Sequence, residues 1–417
     1  MAILSQKLYL LSNDMSFAKN QISIELSKLE EQLLKRSIRS AETPCGTRIQ
    51  IKGRTLQAFC SNDYLGLANH PQLISALAEG ARRYGVGSGA SHLISGHQTI
   101  HDELESKLAS TQAQSIPSVR ALFFSTGYLA NISAITALSL IGGSATHIYS
   151  ASLNHASLID GIRLARSQGT VDVSLFDHHD LKTLEANLQS SSIQHKLIVI
   201  DGVFSMDGDI APVKELLKLA NTYDALLIID DAHGFGILGS SGYGILEDQG
   251  LSSDRIIYIG TLGKAAGLAG AFVCAHELMI EWMIQKARPY IYSTASSPAI
   301  AFALLESLRI IEGEVGQALR STLKTNISQW KKRSLFKTLK KLDSNTAIQP
   351  IIVGSNEAAL QLAKCLDELG YWIPAIRPPT VPKNMARLRM TLSAAHTPDE
   401  IDTLSDTLIK LESQLSH

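Results

Sequence analysis

Over residues 16–36 the apolar positions Ile22, Leu26, Leu29 and Leu33 recur at steps of four, three and four. That spacing lines one face of an amphipathic helix. Residues 1–14 carry no such pattern, which leaves open a disordered lead or a true start at Met15. Further along, the pattern changes to short apolar runs. Residues 197–200 run into Asp201-Gly202, residues 225–229 into Asp230-Asp231-Ala232-His233, and residues 255–259 into Gly260-Thr261-Leu262-Gly263-Lys264. A helical stripe of Val213, Leu216, Leu217 and Leu219 separates the first two. Short buried runs alternating with helices predict a parallel sheet with right-handed crossovers. In such sheets ligands sit beyond the carboxyl ends of the strands, where all three runs place polar residues and glycines. The small-residue cluster Ser293-Thr294-Ala295-Ser296-Ser297-Pro298 predicts a boundary. After it come a helical stretch over 299–312, a strand pattern over 347–353, a helix over 356–369 and a strand over 371–375, together an α+β unit.

The 417 residues are 45% hydrophobic and 18% charged, enough apolar mass for more than one compact unit and too little charge for a disordered chain. Thirty-eight Lys and Arg against 39 Asp and Glu leave a formal charge of −1. No basic field makes nucleic acid or an anionic membrane the default partner. Cys45, Cys60, Cys274 and Cys365 lie far apart, a pattern that predicts neither a disulfide framework nor a zinc site and suits a reducing compartment. With no long apolar run and no signal-like start, the expectation is a cytoplasmic enzyme.

Several motifs have an ordinary structural reading beside a chemical one. Gly85-Val86-Gly87-Ser88-Gly89-Ala90 matches a dinucleotide loop in letters, but a helix over 71–84 precedes it where a strand is required. Asp177-His178-His179-Asp180 reads as a helix N-cap before Leu181, Leu184 and Leu188, because adjacent histidines do not easily face one ion. No metal is expected there or elsewhere. Lys264 is flanked by Gly263, Ala265, Ala266 and Gly267 beyond a buried run. A lysine so placed can be desolvated and become a nucleophile toward an aldehyde, although a solvated lysine is the plainer alternative. Asp230 should share its rim of the sheet, with His233 three residues on. A carboxylate there can hold the ring nitrogen of pyridoxal phosphate protonated while the lysine forms the imine, or it can be a turn residue. Gly127 and Tyr128 open a helix over 129–138 after Ser125-Thr126, a start that can bind phosphate or be simply capped. His155 alone reads as structural. Arg387 and Arg389 alternate on one face of a probable strand, able either to grip a carboxylate or to lie on the surface.

Together, Ser61-Asn62-Asp63-Tyr64-Leu65-Gly66-Leu67, Gly202-Val203-Phe204-Ser205-Met206-Asp207-Gly208, Asp230-Asp231-Ala232-His233-Gly234, Gly263-Lys264 and Ser393-Ala394-Ala395-His396 resemble the α-oxoamine synthases. These are pyridoxal phosphate enzymes with the fold of the aspartate aminotransferases. The resemblance runs from about residue 20 to the C-terminus. It implies a fold type I α/β enzyme: an N-terminal helix and arm over 1–60, a large, mostly parallel cofactor-binding domain over 61–297, and a smaller α+β domain over 298–417.

By the same resemblance, Lys264 carries the cofactor, Asp230 pairs with its ring nitrogen, His233 and Ser205 bond its ring oxygen, and His155 stacks on its face. Lys264, Asp230 and His155 are the expected catalytic set. Gly127, Tyr128 and Thr261 would bind the phosphate, with Ser293 and Thr294 reaching in from the second subunit of a homodimer. Asn62 and Arg389 would hold the substrate, Arg389 by its carboxylate, and Arg36 lies near an N-terminal substrate arginine of the family. Ala90 and His92 depart from the family's usual Gly and Arg or Gly, near the acyl-chain entrance. Ala375-Ile376-Arg377-Pro378-Pro379-Thr380-Val381-Pro382 resembles the members that join L-alanine to a pimeloyl thioester, carried on acyl carrier protein or coenzyme A. Arg377 is then expected to read the distal carboxylate. A sibling synthase using glycine or serine, a non-catalytic partner subunit and a nucleotide-binding protein remain as alternatives.

Overall fold

The computed structural model describes residues 2–143 and 145–415, with side chains described over 17–143 and 145–412. The first element is a helix, Ala2–Glu31. It starts earlier and stops sooner than the sequence pattern suggests, because Leu33 takes a left-handed backbone with φ 56° that no helix continues. Its stripe of Ile22, Leu26 and Leu29 lies exposed. Strands β1 (Arg48–Ile51) and β2 (Arg54–Ala58) form a hairpin. Lys52 and Gly53 close it, both at positive φ, which suits the right-handed twist of the flanking strands.

The central sheet has seven strands. These are β3 (Val119–Phe124), β4 (Thr146–Ala151), β5 (Val171–Phe176), β6 (His195–Asp201), β7 (Ala225–Asp230), β8 (Ile256–Thr261) and β9 (Ala271–His276). Their order is β3-β9-β8-β7-β6-β4-β5. Only β9 runs against its neighbours; the pairs among β4 to β8 are parallel. The continuous apolar runs follow from burial on both faces. Leu197, Val199, Ile228, Ile257 and Ile259 enter a core beneath the helices Gly127–Leu138 and Ala156–Gln168. Their neighbours Ile198, Ile200, Leu227, Ile229 and Tyr258 enter a second core on the opposite face. The register pairs Asp201 with Asp230 and Asp230 with Ile259. Parallel strands in that register bring the ends of β6, β7 and β8 to one rim.

The C-terminal region holds β10 (Lys340–Lys341), β11 (Ile348–Gly354), β12 (Tyr371–Trp372), β13 (Ala375–Ile376) and β14 (Ala386–Thr391). The single strand expected over 371–375 is two, in different sheets. β12 extends the β1–β2 hairpin, while β13 joins the sheet β10-β11-β14-β13. Pro374 lies between them and lacks the N–H a continuous ladder needs. Its carbonyl instead accepts from the Arg389 N–H at 3.1 Å. The N-terminal hairpin thus sits on the C-terminal unit. Phe59 ties the two by donating to the Trp372 carbonyl and accepting from the Thr391 N–H, which leads the chain to Ser61 and Asn62. Among the described residues no helix is long and apolar enough to cross a membrane.

Candidate active site

The rim formed by β6, β7 and β8 opens on a cavity of ≈ 210 Å³. Lys264 lies in the turn after β8 and reaches into it, with Nζ 2.8 Å from His233 Nε2. Burial pushes its amine down to about 8 from an ordinary 10.5, against the pull of Asp230. The side chain lies in the cavity, against His233, rather than on a solvated helix face. A protonated amine is no nucleophile, so capture of an aldehyde cofactor by the apoprotein should rise about tenfold per pH unit below the amine's pKa and level off above it. Stopped-flow absorbance of imine formation measures this. A midpoint near pH 8 is expected, and one near 10.5 would contradict the burial argument.

Burial, with Lys264 and Arg389 nearby, holds the His233 imidazole well below its ordinary range, so the ring is neutral. Its Nε2 accepts from Lys264, and its Nδ1–H can then donate to the Tyr64 hydroxyl at 2.6 Å. Tyr64 donates to Asn62 Oδ1 at 3.1 Å, and the same oxygen accepts from Arg389 Nη1 at 3.2 Å. The lysine and the arginine are thus joined through three side chains in which each polar hydrogen has one acceptor. Arg389 also donates from Nε to the Ser205 carbonyl at 2.6 Å. The neighbouring Arg387 is occupied by Asp207 Oδ1 at 2.7 Å and the Met206 carbonyl at 3.1 Å. Both arginines are buried on one face of β14. Arg387 is satisfied by an ion pair, whereas among the described residues Arg389 has no carboxylate partner.

Asp230 ends β7 in the same cavity. Its Oδ1 accepts from the Ala232 N–H at 3.0 Å and its Oδ2 from Asn131 Nδ2 at 2.6 Å. Asn131 Nδ2 also lies 2.7 Å from Ser157 Oγ, which is 2.7 Å from His155 Nδ1. The His155 N–H donates to Asp201 Oδ2 at 2.9 Å. Burial and the Asp230 carboxylate raise Asp201 well above the usual carboxylate range. Burial also lowers the His155 imidazole, opposed by Asp230 and assisted by Lys264. The adjacent Asp231 serves the backbone instead, accepting from the Ile245 N–H and the Tyr258 hydroxyl at 2.7 and 2.8 Å.

At the mouth, Thr126 caps the helix Gly127–Leu138 by accepting from the Leu129 N–H at 3.2 Å. A Cβ at position 127 would stand 2.7 Å from Thr261 Oγ1. A side chain there would have to displace the Thr261 hydroxyl where the helix start meets the end of β8. Tyr128 lines the cavity and donates its hydroxyl to Asp160.

Lys264, Asp230, His155, His233, Ser205, Gly127, Tyr128 and Thr261 all line this one cavity. Asn62 and Arg389 join it through Tyr64 and Ser205. Four expected residues lie elsewhere. Ser293 and Thr294 sit in a segment where Thr294 bridges to Ser91. Arg36 and Arg377 line a separate groove of ≈ 1030 Å³ between the N-terminal arm and the C-terminal unit. Asn131, Ser157, Asp201 and Tyr64 are cavity or chain members that sequence reasoning missed. Asp201 ends its apolar run as Asp230 does, and Tyr64 lies inside a quoted motif, so both carried a signal.

The residues present fit pyridoxal phosphate. A buried amine of lowered pKa faces a carboxylate across the cavity, a glycine-opened helix start offers N–H groups to an anion, and Asn131 Oδ1 is buried without a partner.

The aminotransferase class I and II family matches this chain over residues 55–408. The 8-amino-7-oxononanoate synthase of Janthinobacterium sp. (strain Marseille) is 53% identical over 390 residues, covering 94% of this chain and 97% of that one. The chain belongs to the 8-amino-7-oxononanoate synthase family. The synthase of Bordetella petrii is 51% identical over 398 residues, covering 95% and 99%. Among solved structures, the 8-amino-7-oxononanoate synthase of Francisella tularensis superposes with a TM-score of 0.70 at 30% identity, covering 87% of this chain and 98% of that one. A serine palmitoyltransferase from S. paucimobilis with a bound PLP–myriocin aldimine gives 0.83 at 26% identity, covering 95% and 97%. The seven-stranded sheet with its smaller C-terminal unit is the fold type I architecture that the 8-amino-7-oxononanoate synthases share with that transferase.

Proposed function

We propose that this chain condenses L-alanine with a pimeloyl thioester, releasing CO2 and the thiol and forming 8-amino-7-oxononanoate, a step of biotin biosynthesis. The observation that carries the reading is the pairing of a buried, low-pKa Lys264 with Asp230 across one cavity, in a chain 53% identical to a synthase of that name. When bound, pyridoxal phosphate supplies an aldehyde for the substrate amine and a ring that accepts the electron pair at Cα.

Lys264 would hold the cofactor and, once released, take the Cα proton of alanine. Asp230 would keep the ring nitrogen protonated, with Asn131 and the Ala232 N–H fixing its carboxylate. His155, His233 and Ser205 would hold the ring. Gly127, Tyr128 and Thr261 would hold the phosphate, joined by Ser293 and Thr294 of the second subunit in a homodimer. Arg389 grips the alanine carboxylate and Asn62 orients it. The Cα electron pair forms a bond to the thioester carbonyl carbon, and the C–S bond breaks to release thiolate. The former alanine carboxylate then leaves as CO2, and Lys264 returns a proton to Cα. Labelled alanine tests the reading by mass spectrometry of the product. Label at the methyl carbon should be retained and label at the carboxyl carbon lost; retention of the carboxyl label would overturn it.

Arg36 and Arg377 are the basis for acyl recognition. Arg39 and Arg54 in the same groove both pair with Asp367, whereas among the described residues neither Arg36 nor Arg377 has an ion-pair partner. Burial and Arg36 together lower the Arg377 guanidinium. Arg377 donates to the Leu33 carbonyl, which holds it against the N-terminal arm. Two cations brought together without a carboxylate form a receptor for one. The register pairs Ile376, the residue before Arg377, with Arg387 on the strand that carries Arg389. Arg377→Ala should cut selectivity for pimeloyl over octanoyl thioester about tenfold or more in kcat/KM. Unchanged selectivity would remove Arg377 from this role.

A further inference from the structure

Away from the Lys264 cavity, the turn after β5 gathers Asp177, His178 and His179, with one donor atom from each within 4.8 Å of the others. The turn brings the two rings to one side, 3.9 Å apart between centroids, contrary to the expectation that adjacent histidines diverge. Asp180 does cap the following helix, as expected, by accepting from the Thr183 N–H.

His178 is only 3% exposed and stacks on Phe204 at 4.0 Å. Its Nε2 stands 2.5 Å from Asp209 Oδ2. A carboxylate only accepts, so Nε2 donates to Asp209 and Nδ1 is the ring atom left to face a further partner. That Nδ1 is buried and has no hydrogen-bond partner. The atom facing it is Asp177 Oδ1, another acceptor, at 3.8 Å. Asp177 Oδ1 is held in place by the His179 N–H at 2.9 Å.

A cation between Nδ1 and Oδ1 would give both atoms a partner. The spacing suits a metal ion, since two ligands about 2.0–2.1 Å from one tetrahedral ion stand about 3.3 Å apart. Asp177 and His179 have side chains 63% and 73% exposed and can close that gap, while His178 is fixed. An imidazole whose second nitrogen donates to a carboxylate is the usual arrangement of a metal-ligating histidine. Two nitrogens and one oxygen, with an open side for water, suit zinc, cobalt or nickel rather than calcium or magnesium.

We propose that Asp177, His178 and His179 bind one divalent transition-metal ion of the zinc class, with Asp209 orienting His178. The ion would tie the turn after β5 to the turn carrying Ser205, because Phe204 donates to the Asp209 carbonyl at 3.0 Å.

The test is a titration of tag-free, cofactor-loaded protein with Co2+, read by its visible d–d absorbance and by displacement with Zn2+. One saturable ion per chain is expected. Asp177→Asn and His179→Ala alter exposed side chains, and an unchanged melting temperature confirms that each variant is folded. Each should weaken Co2+ binding about tenfold or more, and so should Asp209→Asn, which leaves all three ligands in place. Absence of a saturable signal up to millimolar Co2+ would overturn the proposal. So would a signal that the Asp177→Asn/His179→Ala double variant retains.

Discussion

Lys264→Ala should abolish turnover, with kcat down by more than about 10⁴-fold, because one amine serves as both nucleophile and base. The side chain lines the cavity and among the described residues is hydrogen-bonded only to His233, so its loss removes chemistry without breaking the fold. The variant should still bind pyridoxal phosphate through the other cavity groups, without the imine absorbance band. Exchange of the alanine Cα proton with deuterium oxide, followed by proton NMR, isolates the base role, since it needs no thioester. Exchange in the variant near the wild-type rate would remove Lys264 from that role, whatever happened to overall turnover.

Asp230→Asn should slow the same exchange about 10²–10³-fold, the scale of losing one preorganised charge in a water-excluded site. The amide keeps the size of the carboxylate but carries no charge to hold a proton on the ring nitrogen. One of its two positions also presents N–H to Asn131 Nδ2 or the Ala232 N–H, both of which donate to Asp230. Near-normal exchange in the variant would contradict the charge role. The two substitutions differ in one readout: Asp230→Asn should keep the imine band that Lys264→Ala loses.

What was legible in the sequence tracks the range of the physics that encodes it. The β6, β7 and β8 runs could be read because burial on both faces demands unbroken apolar residues, and a parallel sheet sends their polar ends to one rim. Asp230 and Lys264 follow directly. Asn131 could not be read, because it sits in a helix 99 residues from the carboxylate it holds and one more small polar residue in a helix carries no signal. Tyr64 was passed over because its use depends on His233, 169 residues away.

Local geometry was the other gap. Alternation predicted that Arg387 and Arg389 share a face, and they do; which of them is already paired depends on where Asp207 falls. The helix Ala2–Glu31 ends where Leu33 turns left-handed, and no periodicity announces that. The rule that adjacent histidines diverge holds for extended chain and fails in the turn at Asp177–His179, where the backbone folds both rings to one side.

The most direct test of the proposed activity is simultaneous measurement of thiol and CO2 release by the cofactor-loaded protein. L-Alanine would be paired with pimeloyl thioester on acyl carrier protein and on coenzyme A, and glycine and serine with acetyl, succinyl and palmitoyl thioesters. Equimolar thiol and CO2, with kcat/KM highest for alanine and pimeloyl, is the predicted result. A higher kcat/KM for any other pair would contradict the assignment, leaving Lys264 and Asp230 in place but making the reading of Arg377 wrong.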